Sequence, residues 1–291
     1  MLSALVVGGD GLIGSALTSH LSASGWKVVS TTRQTKVASC QVNFDLAQGI
    51  SSLSGLGSTV PANGLVVFIC AAVTGFAQCS NDPEGSRHTN VTCTVELARH
   101  FMQQGAMVTY LSSNAVFDGV HGYIEETAAM LPVTEYGRQK AECEKNLMEA
   151  ASSLKGYCAV VRLTKVVDRR QPLFRGWAES FSKGVTAQAA ADLVMSPITT
   201  SFVVKGLQRI GSNSQSGIFH LSGERDLTYF ELAQAMANKL CPGALIEKDW
   251  VRQRLDALPA QTFSALSMVG TTIACGLRPQ PLAAVVRELT E

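Results

Sequence analysis

The sequence predicts an α/β protein with a doubly wound parallel sheet and a smaller C-terminal lobe. Two observations support this: short apolar runs typical of buried parallel strands, and helix-like segments between them that suit crossover helices. Repeated strand–helix units imply right-handed crossovers within one sheet. The predicted strands are Ala4–Val7, Lys27–Thr31, Leu65–Cys70, Met107–Leu111, Cys158–Leu163 and Ile218–Leu221, and the predicted helices are Leu12–Ser22, Arg87–Gln104 and Tyr136–Leu154.

The strand–helix pattern loosens after Leu163, which indicates a second region of the chain. Thr228–Leu240 predicts an amphipathic helix in this region, and Glu231 stands three residues after Thr228, as in a capping box. We therefore expect residues 1–165 to form the sheet domain. Residues 166–291 are expected to form a smaller substrate-binding lobe, partly interleaved with the core of the sheet domain.

Composition narrows the class of protein. Hydrophobic residues make up 46% of the 291 residues and charged residues 16%, which is typical of a folded globular chain. A formal net charge of +1 gives no broad attraction for nucleic acid or an acidic membrane surface, so neither is expected as a partner. No apolar stretch approaches the roughly 20 residues that a membrane span requires.

The cysteines and the N-terminus bear on the compartment. None of the eight cysteines forms a CxxC pair or has a histidine beside it at ligand spacing, so we expect neither a metal site nor a disulfide framework. No basic segment precedes the first apolar run, and we expect no secretory signal. Free cysteines are typical of a reducing compartment, so the expected location is the cytoplasm.

A glycine-rich loop follows the first predicted strand and opens the first predicted helix. Gly8 permits a tight turn, Gly11 lets the backbone approach a pyrophosphate, and Gly14 lets helix and strand pack closely. The helix N-terminus offers N–H groups and a positive dipole end to phosphates. This Rossmann pattern predicts a dinucleotide site, and a plain strand-to-helix turn is the alternative. From the same loop we also assign to the cofactor Asp10, Leu12 and Ile13.

The end of the second strand bears on the choice of cofactor. NAD-binding proteins usually carry an acid there for the ribose 2′-hydroxyl, whereas this chain has Arg33 and no acid. A guanidinium can pair with a 2′-phosphate, so the sequence predicts NADP(H) rather than NAD(H), with Thr31 and Thr32 nearby. A solvated surface arginine is the alternative. Asp45 and Leu46, after the third strand, are assigned to the adenine side, although Asp45 equally suits a turn.

Tyr136 and Lys140 stand four residues apart and share one face of a predicted helix. A nearby ammonium favours the phenolate and lowers the pKa of tyrosine, so Tyr136 can pass a proton to a carbonyl oxygen as hydride arrives. Lys140 can also contact a nicotinamide ribose. Ser113 ends the preceding strand, where parallel sheets bind ligands, and can hydrogen-bond the same carbonyl. A chance pattern on an amphipathic helix is the alternative.

Further runs occur along the chain in a fixed order with these motifs. The glycine loop, Cys70–Ala72, Asn90–Val91, Ser112–Gly119, Tyr136–Lys140 and Val161–Leu163 together resemble the extended short-chain dehydrogenases/reductases. The resemblance covers roughly residues 3–240. The chain is most similar to the dTDP-4-dehydrorhamnose reductase branch, through Val116–Gly119, Glu125–Thr127, Pro132, Gly217–Leu221 and Tyr229–Ala233.

The resemblance implies roles for individual residues. Ser113 takes the catalytic serine or threonine position, Tyr136 the acid–base position and Lys140 the lysine position. Ala71 and Ala72 would line the cofactor groove, and Asn90 would support the fold near the site. The implied activity is NADPH-dependent reduction of a keto group on a sugar or nucleotide-sugar.

The chain also departs from the branch. Asn114 and Ala115 stand where the branch usually has Asp-Tyr facing the substrate, so the sequence leaves the sugar open. We assign Asn114 to the substrate, together with Arg175 for an anionic group. A sugar epimerase or dehydratase remains an alternative, as does a non-catalytic NADP-binding regulatory subunit, because the regulatory subunit of methionine adenosyltransferase resembles the same branch. A homodimer is left open.

Overall fold

The computed structural model describes residues 2–35, 40–53, 64–252 and 262–291. Within these residues the chain forms two compact units. The first comprises Met1–Phe117, Ala129–Arg162 and Val203–Phe219, and the second comprises Asp118–Ala128, Leu163–Phe202 and His220–Glu291. The division into domains at residues 165 and 166 stays a prediction, and so does the interleaving of the smaller lobe with the sheet domain.

The strands and helices are numbered in chain order. The strands are β1 Ser3–Val7, β2 Lys27–Thr32, β3 Gln41–Asn43, β4 Leu65–Ile69, β5 Met107–Ser113, β6 Tyr157–Leu163, β7 Lys165–Val167, β8 Ala187–Ala190, β9 Val194–Met195, β10 Pro197–Thr199, β11 Gly217–Leu221, β12 Leu227–Thr228 and β13 Ile246–Asp249. The helices are α1 Leu12–Ala23, α2 Phe76–Asn81, α3 Pro83–Arg87, α4 Thr94–Gln103, α5 Glu135–Leu154, α6 Pro172–Lys183, α7 Thr200–Ser212, α8 Tyr229–Leu240, α9 Val269–Cys275 and α10 Leu282–Thr290.

A seven-stranded sheet with the order β11-β6-β5-β4-β1-β2-β3 forms the first unit's centre. The chain winds outward in both directions from β1, which pairs in parallel with β2 on one side and β4 on the other. This confirms the predicted doubly wound α/β class. In such a sheet ligands bind beyond the carboxyl ends of the strands, where the winding reverses.

The burial of the central strands explains why their sequences are almost entirely apolar, Ser3 of β1 being the exception. Every residue of β1 and of β4 is buried, as expected for parallel strands covered by helices on both faces. Leu97 of α4 and Leu147 of α5 are fully buried in the same apolar core as Val67 of β4. This packing fixes the strand ends at which the glycine loop and Ser113 lie.

The second unit has smaller sheets and its own apolar core. In its two-stranded sheets β10 pairs with β7, β12 with β9 and β13 with β8. Phe174, Trp177 and Phe181 of α6 are buried with Leu232 and Met236 of α8 in that core. The capping box predicted for Thr228 and Glu231 is present at the start of α8. Along the described parts of the chain, none of the helices combines the length and apolar character needed to cross a bilayer.

Candidate active site

The glycine loop between β1 and α1 has no room for side chains at three positions, Gly8, Gly9 and Gly14. Gly8 has a φ of +90°, and a Cβ placed on it would lie 2.8 Å from the backbone nitrogen of Ala71. A Cβ on Gly14 would come closer than 3.0 Å to the carbonyl oxygen of Gly8. The turn therefore requires glycine here, and the first residues of α1 pack directly against β1.

The N-terminus of α1 is open to an anion. Gly11 precedes the helix with extended backbone, no side chain caps this end, and the first turn contains no acid. The first N–H groups of any helix, here those of Leu12 and Ile13, have no partner within it. A Cβ on Gly11 would have only the Gly8 carbonyl oxygen near it, at 3.4 Å, so a side chain there would extend into open space.

A cavity of about 240 Å³ adjoins this loop and contains most of the predicted cofactor residues. It is lined by Gly8, Asp10, Gly11, Thr32, Arg33, Asp45, Leu46, Ala71 and Ala72. The predicted residues Leu12, Ile13, Gly14, Tyr136 and Lys140 do not line it. Thr31, which the sequence predicts near the cofactor, lines it as well. Six further residues that the motifs did not assign to the cofactor complete the lining and lie at or after the ends of β1, β3 and β4 or near α3: Val7, Phe44, Ala47, Cys70, Val73 and Thr89. Most of these residues lie next to strand ends, where parallel sheets bind ligands, and this position could have identified them from the sequence.

The end of β2 is tied to the glycine loop by two hydroxyl groups. The Gly8 N–H donates to Thr31 Oγ1 at 2.9 Å, and Thr32 Oγ1 donates to Asp10 Oδ2 at 2.6 Å. Arg33, the next residue, is exposed at the rim of the cavity. The Asp45 carboxylate accepts from the Ala47 N–H at 3.1 Å, so Asp45 caps a turn as well as lining the cavity.

Ser113, Tyr136 and Lys140 come together where β5 ends against α5. Tyr136 and Lys140 are both buried, and the Lys140 ammonium lies 5.7 Å from the Tyr136 ring centre. Lys140 Nζ also donates to the carbonyl oxygen of Leu111 at 2.8 Å. Thr134 caps α5 by accepting from the Gly137 N–H at 3.0 Å, which fixes the first turn of the helix, where Tyr136 lies.

Burial dominates the acid–base properties of this group of side chains. It raises the pKa of Tyr136, and a hydrogen bond with Ser113 lowers the same pKa by a smaller amount. Burial also lowers the pKa of Lys140 to about 8, against the attraction of Glu144 and nearby thiols. At pH 7 the phenol is therefore protonated and the amine is mostly charged. The sequence predicts that Lys140 makes the Tyr136 phenol more acidic, but in this structure burial raises the pKa of Tyr136 instead.

Asn90 connects the cavity to α5 by hydrogen bonds. Its amide oxygen accepts from the Val73 N–H at 2.7 Å, and its amide nitrogen donates to the Val73 carbonyl at 2.9 Å and to Gln139 Oε1 at 2.8 Å. Asn90 lies in a π-helical turn, His88–Cys93, that the sequence did not predict. Such turns insert one extra residue and are frequent at functional sites.

A buried ion pair behind Lys140 was also missed. Arg162 on β6 donates to Glu144 on α5, with Nη2 2.8 Å from Oε2, and both side chains are 1% exposed. Ser112 donates a hydrogen bond to the same carboxylate. Glu144 follows Lys140 by four residues, and this spacing could have placed Glu144 on the same face of the helix from the sequence alone.

The two predicted substrate residues lie in different surroundings. Asn114 begins a short turn after β5, and Ser113 Oγ lies 3.3 Å from its side-chain oxygen. Arg175 lies on α6 in the second unit, is exposed, and is 3.7 Å from Glu179 one turn later. Over the described residues, no group of three or more His, Cys, Asp or Glu side chains is placed to hold a metal ion.

The sheet, the glycine loop and the order of the motifs define the class of extended short-chain dehydrogenases/reductases. The chain belongs to the RmlD substrate binding domain family, whose model matches residues 2–265. This confirms the resemblance that the sequence motifs indicated.

Individual relatives are named for different functions. Methionine adenosyltransferase 2 subunit beta of Xenopus tropicalis is 24% identical over 251 residues, covering 81% of this chain and 71% of that protein. A probable low-salt glycan biosynthesis reductase of Haloferax volcanii is 25% identical over 286 residues, covering 94% and 92%. The structure of dTDP-4-dehydrorhamnose reductase from Bacillus anthracis in complex with NADP has a TM-score of 0.82 at 17% identity, covering 100% and 98%. That likeness shows a shared fold.

Proposed function

We propose that this protein is an NADP(H)-dependent reductase that acts on a keto group of a sugar, most simply a nucleotide-linked one. The observation that carries the proposal is the meeting of Ser113, Tyr136 and Lys140 at the end of β5, with the phenol protonated and the amine largely charged. The similarity to proteins named as sugar-nucleotide and glycan biosynthesis reductases supports this substrate class.

The residues present fit NADP(H). The glycines leave a cradle at the N-terminus of α1 that a Cβ on Gly11 would fill, and this helix end attracts phosphate. The end of β2 offers the exposed guanidinium of Arg33, which suits a 2′-phosphate. The nearby Asp10 carboxylate already accepts a hydrogen bond from Thr32. The complex of the related Bacillus anthracis enzyme with NADP supports the same cofactor.

The chain's own residues then supply the proton and the polar contacts. NADPH, when bound, supplies the hydride that reduces the carbonyl carbon. Ser113 donates a hydrogen bond that orients the carbonyl, and Tyr136 gives its phenolic proton to the carbonyl oxygen, which becomes a hydroxyl. The Lys140 ammonium stabilises the phenolate left on Tyr136, which regains a proton from solvent. We further propose that Asn114 and Arg175 contact the substrate.

Turnover of a keto-sugar panel tests this function. We expect the protein to oxidise NADPH in the presence of at least one nucleotide-linked keto-sugar. The oxidation is measured as the loss of absorbance of the reduced nicotinamide. Tyr136→Phe removes the proton donor and should lower kcat by a factor of roughly 10² to 10⁴. Tyr157→Phe makes the same change at an exposed position and should retain the wild-type rate. Wild-type turnover by Tyr136→Phe would defeat the mechanism.

A regulatory subunit is the second candidate, because several relatives of similar identity are named as methionine adenosyltransferase 2 subunit beta. Such a subunit would bind NADP(H) without reducing any keto-sugar. Stable co-purification with a methionine adenosyltransferase, together with no NADPH oxidation across the panel, would favour this candidate over the reductase.

A further inference from the structure

Three consecutive residues at the end of β5 contact three residues spaced four apart on α5. Lys140 donates to the carbonyl of Leu111, Glu144 accepts from Ser112, and Tyr136 lies close enough to Ser113 for that hydroxyl to affect the Tyr136 pKa. Tyr136, Lys140 and Glu144 therefore form one stripe facing the sheet. The proposed function uses the first two and Ser113, but gives Glu144 no role.

Stability alone does not explain the pair that Glu144 forms. Arg162 Nε lies 3.2 and 3.1 Å from the two Glu144 oxygens, and its guanidinium also lies 5.0 Å from the centre of the Phe117 ring. Removing two charges from water costs about as much as their attraction returns, so well-packed apolar residues would serve the fold equally well. The burial of the Glu144 carboxylate therefore needs an explanation other than stability.

The surroundings of Lys140 supply that reason. Its amine is buried, and burial favours the neutral form of an amine. Cys143 and then Glu144 oppose the effect of burial on the Lys140 pKa, followed by Cys70 and Cys79, and Glu144 is the carboxylate of this set. The titratable and aromatic groups around Lys140 are Cys70 after β4, Cys79 on α2, Tyr110 on β5, and Tyr136, Cys143 and Glu144 on α5.

We propose that Glu144, held in place by Arg162 and Ser112, is a positioning residue that keeps Lys140 in its charged form at the working pH of the protein. This rests on the proposed function, in which the Lys140 ammonium stabilises the phenolate of Tyr136. Arg162 and Ser112 hold the Glu144 carboxylate one helical turn from Lys140, on the same face of α5.

The titration of Lys140 tests the proposal without requiring turnover. The protein would be labelled with ¹³C at lysine Cε, and the Lys140 signal would be identified by its loss in Lys140→Met. The wild-type midpoint is expected near pH 8. In Glu144→Gln the midpoint should fall by roughly one pH unit, because the opposite charge has been removed. Glu142→Gln, two residues away and paired with Arg87 at the surface, should leave the midpoint unchanged.

Removing one member of a buried pair can prevent folding, so a second variant keeps the test decisive. Ser112→Ala/Glu144→Leu/Arg162→Met replaces the whole polar network by apolar groups, which buried sites often tolerate. This variant should fold, bind NADPH and still show a lowered Lys140 midpoint. A wild-type midpoint in this folded variant would overturn the proposal.

The pH profile of turnover separates a charge effect from a structural defect. With its midpoint lowered by one unit, Glu144→Gln should lose about fivefold in kcat at pH 8 and match the wild type at pH 6, where both amines are protonated. An equal loss at both pH values would contradict the charge role. A wild-type protein that reduces no keto-sugar would defeat the proposed function, while the NMR titration would still decide this inference.

Discussion

Gly137 follows the proposed proton donor and cannot carry a side chain. A Cβ placed on it would come closer than 3.0 Å to the carbonyl oxygen of Ala115, in the turn that follows β5. Its N–H donates to Thr134 Oγ1, so it also completes the helix cap. The missing side chain lets the first turn of α5 approach the end of β5, and this approach brings Tyr136 to Ser113.

Gly137→Ala should therefore destabilise the protein by about 1–3 kcal/mol, the usual cost of overpacking a tight contact. Tyr136 lies on the same turn, so kcat should fall as well. Gly176→Ala is the matched control, because Gly176 lies within α6 and a Cβ there has nothing within 4 Å. That change should stabilise by about 0.5–1 kcal/mol. Urea denaturation measures both, and equal effects would contradict the steric argument.

At the scale of the elements, a strand or helix is predictable from the sequence when its local residue pattern matches its surroundings in the fold. β4 is apolar throughout, and so is β1 apart from Ser3, because both faces of these strands are covered, and α8 begins at its capping box. The glycine loop was predictable because backbone geometry demands glycine at Gly8 and Gly14. Local chemistry decides each of these features, so a single sequence reveals them.

Features decided by distant partners were not predictable from the sequence. Residues 87–104 were expected to form one helix, but the structure has the end of α3, the π-helical turn and α4. The turn is held by Asn90, which bonds to Val73 and to Gln139, 17 and 49 residues away. The motifs predicted Ser113, Tyr136 and Lys140 as a group, but the pairing of Glu144 with Arg162 depends on how α5 crosses β6. Periodicity carries no information about such a crossing.

The capping box of α8 gives a prediction about an element. The Thr228 hydroxyl accepts from the Glu231 N–H at 3.1 Å, and the Glu231 carboxylate accepts from the Thr228 N–H at 2.6 Å. α8 buries Leu232 and Met236 in the core of the second unit. Thr228→Ala should therefore lower the free energy of unfolding of that unit by about 1 kcal/mol.

Thr228→Ser retains the hydroxyl and should keep most of the wild-type stability. Urea denaturation followed by tryptophan fluorescence would report on this unit in a variant with Trp26 and Trp250 replaced by phenylalanine, since Trp177 is buried in the same core. If the alanine and serine variants were equally stable, the cap would contribute nothing and the prediction would fail.

At the scale of the whole molecule, cofactor binding and stability are linked. A ligand that binds only the folded state raises the free energy of unfolding by about 2.7 kcal/mol at a concentration of 100 Kd. All residues lining the cavity belong to the first unit. If the two units unfold in separate steps, the stabilisation should therefore appear in the step that unfolds the first unit.

The choice between NADP⁺ and NAD⁺ should be visible in the same melting transition. At equal concentrations NADP⁺ should raise Tm by several degrees more than NAD⁺, because Arg33 can pair with the additional phosphate. Arg33→Ala should remove that difference, since one charge-assisted hydrogen bond is worth about 1.5–3 kcal/mol, while the shift with NAD⁺ should stay the same. Arg99→Ala removes an exposed arginine of α4 and should retain the wild-type preference. If Arg33→Ala kept the full preference for NADP⁺, Arg33 would be a solvated surface residue, and the 2′-phosphate would have to be recognised by other residues around the cavity.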